Sequence, residues 1–184
     1  MKTFEEIKAE ILRLGTLRSA CSGEFARAVN STNIDELMQV VKDNFSWCYN
    51  NGIATTEILD AIGESKVNEF GIYYKGEVER LKDLKGLYFC GAFKVKYLEN
   101  SQVSEMWGNS QVSVMRGNSQ VSVMRENSQV SVMWENSQVS EMRENSFARS
   151  YNANLPKEAH NRYCYMDLKN NIVYIGKDLR CNAE

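Results

Sequence analysis

Residue types that could carry out catalysis are sparse in this chain of 184 residues. The one histidine, His160, lies four residues before Cys164, and cysteine catalysis needs a thiol beside an imidazole and a third group that orients it. His160 lies in a polar stretch without a marker for such a group, and no phosphate loop, HExxH or GxSxG pattern occurs. The sequence therefore predicts a non-enzymatic protein with no catalytic residues, no metal site and no cofactor.

Tryptophan and arginine at one position of a tandem repeat are the stronger functional candidates. The repeat runs from Asn100 to Glu144 as five copies of nine residues, with six of the nine positions identical in every copy. A position that accepts either a ring or a cation is expected to face solvent, and both residue types are enriched at interaction hot spots. The predicted binding residues occupy the eighth position of each copy: Trp107, Arg116, Arg125, Trp134 and Arg143.

The element that must position these side chains is predicted to be a β-solenoid. Nine residues make about two and a half turns of an α-helix, so successive copies would face opposite sides and form no single apolar stripe. Gln-Val-Ser-Val-Met is typical of a short strand, and Asn-Ser is typical of a bend. Tandem arrays of short period are usually solenoids.

Each coil is predicted to contain two copies, because nine residues are too few to enclose an interior. Like residues then stack at roughly 4.8 Å, with copies one, three and five on one face and copies two and four on the other. Stacked Trp and Arg side chains can make cation–π contacts. The first-position asparagines are predicted to form two hydrogen-bonded ladders: Asn100, Asn118 and Asn136 in one, and Asn109, Asn127 and Asn145 in the other.

Three details of the repeat qualify this prediction. Val103 and Met106 cannot both point inward on a straight strand, so a bend must lie between them. The serines at the second and fifth positions are expected to bond the backbone at surface turns, and bulky neighbours argue against ice or glycan binding. The Asn-Ser turn also lacks the aspartates of calcium-binding nonapeptide rolls, which excludes that class.

The whole chain is predicted to be an α+β protein with three parts. Residues 1–76 form a helical domain, and residues 77–150 form a parallel β-solenoid whose irregular first coils lie near 87–98 and whose repeats span 100–144. Residues 151–184 form a loop and a β-hairpin that turns at Asn170-Asn171. Because an uncovered terminal strand is an adhesive edge, this hairpin is expected to cap the solenoid.

Apolar spacing predicts four helices in the first part. Thr3 and Asn33 are suitable helix caps, and an acidic first turn after Asn33 favours the helix dipole. The predicted helices are Phe4 to Leu14, which Gly15 ends; Thr16 to Val29; a third that follows Asn33 and ends at 50–52; and a fourth from Thr55 or Thr56 to Gly63.

Composition limits the class of partner. A formal net charge of −2 argues against duplex DNA, and no apolar run reaches the roughly 18 residues of a membrane span. The first ten residues do not resemble a signal peptide. Five scattered cysteines without a CxxC pair favour free thiols in a reducing cytoplasm: Cys21, Cys48, Cys90, Cys164 and Cys181.

The layout of the chain also resembles a loose group of bacterial and phage-borne repeat proteins. The stretches "RLGT" and "SACSGEF" near the start, and "FSWCYNNGIATTEIL" after them, precede an Asn-initiated repeat as in that group. The resemblance implies a helical amino-terminal domain followed by a short-period array. It implies no activity, so it assigns no functional residues.

The sequence favours a scaffold that presents a repetitive solenoid face to a protein partner, such as a host protein recognised by a phage or mobile-element factor. Two alternatives remain open. Open strand edges would support self-assembly into a homo-oligomer. The basic and aromatic stretch 86–97 would suit single-stranded nucleic acid, although alternating strand faces also have this composition.

Overall fold

The computed structural model describes residues 2–152, 154–160 and 162–176. The chain divides between Ile72 and Tyr73 into a helical unit and a β unit. Six helices and a parallel β-solenoid of about six turns confirm the predicted α+β class. The solenoid spans residues 72–167, a wider range than 77–150. None of the described helices is long and apolar enough to cross a membrane.

Two of the helices begin at side-chain caps that the sequence predicts. Thr3 and Glu6 form a reciprocal capping box at the first helix, and Asn33 Oδ1 accepts the backbone N–H of Glu36 at the third. The helices are α1 (Phe4–Leu17), α2 (Ser22–Asn30), α3 (Ile34–Asp43), α4 (Phe45–Asn50), α5 (Thr56–Ile62) and α6 (Glu64–Glu69).

The helices differ from the prediction at several points. Helix α1 continues through Gly15 to Leu17, so α2 begins at Ser22 and not at Thr16. Gly15 allows close packing of the Phe25 ring, since a Cβ there would lie 3.1 Å from it. The predicted third helix is two helices, since the Asn44 side chain bonds the Val40 carbonyl and α3 ends there. Helix α6 was not predicted; its one buried residue gives it little apolar periodicity.

The β unit contains thirteen strands among the described residues. They are β1 (Ile72–Tyr73), β2 (Glu77–Lys82), β3 (Leu87–Phe89), β4 (Lys94–Glu99), β5 (Gln102–Met106), β6 (Gln111–Arg116), β7 (Gln120–Met124), β8 (Gln129–Met133), β9 (Gln138–Arg143), β10 (Phe147–Ser150), β11 (Glu158–His160), β12 (Cys164–Asp167) and β13 (Ile172–Ile175). Each repeat copy supplies one strand, from β5 to β9.

Alternate strands belong to two different sheets. One has the order β1-β3-β5-β7-β9-β11 and is called the odd-copy sheet, because it holds copies one, three and five. The other, the even-copy sheet, has the order β13-β12-β10-β8-β6-β4-β2. Gln102 pairs with Gln120 and Gln111 pairs with Gln129, so parallel neighbours are eighteen residues apart within the array.

The interior of the solenoid is a column of valines and methionines from every copy. Val103 and Met106 are 1% and 0% exposed, so both point inward although they are three positions apart. In the ladders of the array, the paired residues skip the fifth repeat position, as between Val103 and Glu105. The bend required by the sequence therefore lies at that serine.

The turns between strands place the ninth repeat residue in the left-handed region. Gly108 and Gly117 have φ of 66° and 63°, and Glu126 has φ of 55°. A Cβ on Gly117 would lie 2.1 Å from Oδ1 of Asn100, so a side chain there would displace the Asn100 amide. Where glutamate replaces glycine, its carboxylate bonds a backbone N–H one coil earlier: Glu126 to Gly108, Glu135 to Gly117, and Glu144 to Glu126.

The second-position serines are buried, which corrects the expectation that they lie at the surface. All six are 0% exposed: Ser101, Ser110, Ser119, Ser128, Ser137 and Ser146. The odd-copy hydroxyls bond backbone carbonyls, for example Ser119 to Arg116 at 2.7 Å and Ser137 to Trp134 at 2.6 Å. The hydroxyls of Ser110, Ser128 and Ser146 have no hydrogen-bond partner among the described residues.

The last strands continue the even-copy sheet and then reverse its direction. Strand β12 is parallel to β10, with Ala148 beside Tyr165, and both of these residues are 0% exposed. Strand β13 is antiparallel to β12, with Tyr165 beside Tyr174. The end of the predicted third part, residues 177–184 with Cys181, lies outside the described residues, as do Ala153 and Asn161.

Candidate functional site

The five predicted binding residues divide between the outer faces of the two sheets. Trp107 and Arg125 directly follow strands of the odd-copy sheet, and Arg143 is the last residue of another. In the even-copy sheet, Arg116 is the last residue of β6 and Trp134 directly follows β8. The outer surfaces are called the odd-copy face and the even-copy face. They differ in exposure, since Trp107 is 2% exposed and Trp134 is 40% exposed.

On the odd-copy face, Trp107 is part of a closed polar network. The Arg125 guanidinium lies over the indole ring, 4.6 Å from its centroid, and the indole Nε1 donates a 2.6 Å hydrogen bond to Glu105. Glu105 also faces Nε of Arg125 at 3.8 Å. The expectation that the eighth position is always exposed is therefore wrong at Trp107, whose ring polarity is already satisfied inside the protein.

Further along the odd-copy face, charged side chains pair with one another. Arg143 donates to the Glu141 carboxylate, which raises the pKa of the guanidinium. His160 Nε2 lies 3.4 Å from Glu141 and 3.6 Å from Glu158, so the three side chains have the spacing of metal ligands. Because the Arg143 guanidinium already pairs with the Glu141 carboxylate, we interpret this cluster as a set of ion pairs and not as a metal site.

On the even-copy face, two large aromatic rings stack in contact with solvent. The Trp134 and Tyr151 rings are 4.2 Å apart between centroids and 13° from parallel. The residues are 40% and 45% exposed. Stacked rings of this size offer a large apolar area at a low cost in side-chain entropy, as in many hot spots.

An apolar column runs along the same face. Tyr97, Val114 and Val132 are in register on three neighbouring strands, and each is partly exposed. Arg116 lies over the Tyr97 ring at 5.7 Å from its centroid, and Lys96 lies at 5.3 Å. The even-copy face therefore combines apolar area with a cationic rim around Tyr97.

The first-position asparagines make contacts along both sides of the stack. Asn136 donates to the side-chain oxygen of Asn118 at 3.2 Å, and Asn145 donates to that of Asn127 at 3.3 Å. Asn100 instead accepts the backbone N–H of Asn118 at 3.0 Å. These side-chain amides therefore connect turns that are eighteen residues apart by hydrogen bonds.

The structure does not bring the candidate catalytic pair together. His160 belongs to β11 in the odd-copy sheet and Cys164 to β12 in the even-copy sheet. Burial raises the pKa of the Cys164 thiol, and it raises that of Cys90 to about 12. Thiols with raised pKa values are poor nucleophiles at neutral pH.

In the stretch 86–97, which was considered for nucleic-acid binding, two of the aromatic rings are buried in the core. Phe89 and Phe93 are 0% and 1% exposed, and their centroids are 5.0 Å apart. Tyr88 and Tyr97 remain partly exposed. A stacking platform for bases needs open ring faces, so this stretch offers fewer of them than its composition suggests.

Sequence reasoning missed Tyr151, which follows the last recognisable copy. A signal existed, because a ring seventeen residues after Trp134 falls about one coil later in an eighteen-residue period. No family model, no curated protein and no solved structure matches this chain. The candidate site therefore rests on the geometry of this molecule alone.

Proposed function

We propose that this protein is a non-enzymatic scaffold whose even-copy face binds a protein partner. The observation that carries the proposal is the exposed Trp134–Tyr151 stack beside the column of Tyr97, Val114 and Val132. Exposed aromatic area next to a cationic residue, here Arg116, is typical of protein interfaces. Of the five predicted residues, Trp134 and Arg116 belong to the proposed surface, whereas the three odd-copy residues lie outside it.

Several finer features belong to the same proposal. The pair of nonapeptides is the unit of one coil, as the eighteen-residue register supports, and the β12–β13 hairpin acts as a cap. We place the protein in a reducing cytoplasm, since the four described cysteines are free thiols. We also propose that it is a phage or mobile-element factor that acts on a host protein, on the basis of the resemblance alone.

A quantitative pull-down from bacterial lysate tests the proposed face. Full-length protein is compared with the double variant Trp134→Ser/Tyr151→Ser, which removes both exposed rings. Because hot-spot truncations typically cost about 2 kcal/mol or more, we expect capture of the main partner to fall by at least roughly tenfold.

The matched control changes the odd-copy face. Arg143 is partly exposed and pairs with Glu141 of the same face. Arg143→Gln should therefore leave capture within about twofold of wild type, which is close to the usual uncertainty of mutational free energies. Equal loss in both variants, or unchanged capture by the double variant, would contradict the even-copy assignment. Circular dichroism confirms that each variant keeps its strands.

A second candidate function, self-assembly, is favoured by strand β13. Among the described strands it ends the even-copy sheet, and Ile172 to Ile175 contains no charged residue. The opposite end strand β2 and the odd-copy end strand β11 carry the charges that usually block edge pairing, and the other odd-copy end strand, β1, is only two residues long. An antiparallel pair of β13 strands from two copies would satisfy a two-fold axis.

Proline substitution tests this candidate at one atom. Gly176 donates to the Tyr163 carbonyl, so by alternation the Val173 N–H points away from β12. If the wild-type protein forms a dimer in a concentration series followed by sedimentation analysis, Val173→Pro should abolish this dimer, whereas Val173→Thr should preserve it. A wild-type protein that stays monomeric at high concentration would remove self-assembly from consideration.

A further inference from the structure

The helical unit contains an apolar cavity of about 190 Å³. Side chains of four helices and the following loop line it, including Ile11, Phe25, Val41, Trp47 and Ile53. The cavity is partly open to solvent, so its apolar walls remain in contact with water. An occupant that covers these walls would remove apolar surface from water, which favours binding.

Polar contacts connect the helices that line the cavity. Arg27 bridges α2 to α3 through Asp43 at 2.7 Å, and Asn44 holds Glu24 at 2.8 Å. The Lys8 ammonium of α1 donates to the carbonyl of Ser31 at the end of α2. Three of the four helices that line the cavity, α1, α2 and α3, are thus connected by polar contacts.

The lining defines the chemistry of the occupant. Phe25 and Trp47 offer ring faces, and burial raises the pKa of the Cys48 thiol to about 12, so this wall is uncharged at neutral pH. Glu24 and Asn44 of the lining bond each other at 2.8 Å, and Glu24 also pairs with Arg27 at 2.6 Å. The Glu24 carboxylate disfavours anions, and its pairing with Arg27 already offsets its charge, so the lining favours a neutral occupant.

We propose that this cavity is a binding site for a compact, neutral, mainly aromatic molecule or group. Its volume is close to that of an apolar protein cavity of about 150 Å³ that binds benzene. The site lies within the helical unit and is independent of the proposed even-copy face. The chain would then combine a small-molecule site in one unit with a protein-binding surface in the other.

Titration of the full-length protein with indole, followed by methyl and aromatic NMR, tests the proposal. Saturable shifts are expected for Val41 and Ile53, with none for Val121 and Val139, which lie in the solenoid core. Benzoate, an anion of similar size, should bind at least roughly tenfold more weakly because its charge must be desolvated. Indole at ten times its Kd should lower the unfolding constant of the unit about elevenfold.

Filling the cavity provides the decisive comparison. Ala28 is buried and lines the cavity, so Ala28→Leu should reduce indole affinity by at least about tenfold through lost volume. Its neighbour Val29 is 44% exposed and outside the lining, and Val29→Leu should bind indole as wild type does. If Ala28→Leu fails to fold, Ala20→Leu fills the same cavity from the loop before α2. Absence of saturable shifts in wild type, or equal affinity in a folded filling variant, would overturn the proposal.

Discussion

The odd-copy and even-copy faces are built from almost the same nine residues, yet they have different surfaces. Their inner sides are alike, since Val and Met from every copy are at most 1% exposed. Their outer sides diverge, because Trp107 lies under Arg125 on one face whereas Trp134 stacks openly on Tyr151 on the other. The neighbour one coil away, eighteen residues along the chain for Trp107 and seventeen for Trp134, decides the environment of the ring.

This difference teaches that copy parity carries structural information. Odd copies one and five have glutamate at the sixth position, where it can bond the eighth-position side chain, as Glu105 bonds Trp107 and Glu141 bonds Arg143. Even copies have valine there, so Val114 and Val132 leave their face apolar. A solenoid with two repeats per coil can thus build one charged face and one apolar face from a single repeat.

The largest expected effect comes from changing parity. Duplicating residues 118–126 adds one copy and moves Trp134 and Tyr151 to the odd-copy side, away from Tyr97 and Arg116. Duplicating 109–126 adds a full coil and restores the even-copy position. We expect partner capture to fall at least roughly tenfold for the nine-residue insertion, as for a lost hot spot, and to be retained for the eighteen-residue insertion. Equal capture by both proteins would contradict the parity argument.

Truncation of a buried methionine should cost similar stability in the odd-copy and even-copy sheets. Met124 of the odd-copy sheet and Met133 of the even-copy sheet are both 0% exposed. Each Met→Ala substitution is expected to lower the free energy of unfolding by about 2–5 kcal/mol, since it leaves a cavity. Chemical denaturation measures both values. A cost below about 1 kcal/mol at only one of the two sites would show that the cores differ after all.

Removal of a buried serine hydroxyl should change the free energy of unfolding differently in the two sheets, by less than removal of a methionine side chain. Ser119→Ala removes a hydroxyl that bonds the Arg116 carbonyl, so we expect a loss of about 1–2 kcal/mol. Ser128→Ala removes a buried hydroxyl without a partner among the described residues, so the free energy of unfolding should stay within about 0.5 kcal/mol or rise. The same denaturation experiment checks both. The reverse order would refute the assignment of the two serine columns.

The smallest effect is expected at the ninth position. Glu135 has φ of 57°, and its carboxylate accepts the Gly117 N–H at 2.5 Å. Glu135→Gly relieves the left-handed residue but loses the bond, so the two terms, each about 1 kcal/mol, should nearly cancel. Glu135→Ala loses the bond and keeps the strain, and should be less stable by about 1 kcal/mol. Equal melting temperatures for the two variants would contradict this account.

Much of the architecture could be predicted because repetition amplifies weak signals. Five copies at a period of nine exclude an amphipathic helix and indicate a solenoid, and a strand and bend per copy follow from Val, Ser and Asn. The coils outside the array were harder to predict from the sequence. In Lys94 to Glu99, the buried Val95 and Leu98 are three positions apart, as the inward-pointing Val and Met of each copy are. Their periodicity is visible only once the eighteen-residue register is known.

The candidate site was predicted only in part, since exposure depends on neighbours that the repeat does not contain. Variation at the eighth position suggested solvent exposure, but tertiary contacts bury Trp107 and leave Trp134 open. Tyr151 lies beyond the array, so it could be found only by extending the eighteen-residue period past the last copy. Invariance was an equally mixed signal, because the invariant second-position serines are buried whereas Gln102 is exposed.

Fluorescence quenching of single-tryptophan proteins tests the difference between the faces most directly. Replacing two of Trp47, Trp107 and Trp134 with Phe leaves either Trp107 or Trp134 as the only reporter, and acrylamide then quenches each according to its exposure. The structure predicts a much larger quenching constant for Trp134, at 40% exposed, than for Trp107, at 2% exposed. Equal constants, or stronger quenching of Trp107, would contradict the claim that only the even-copy face is open for binding.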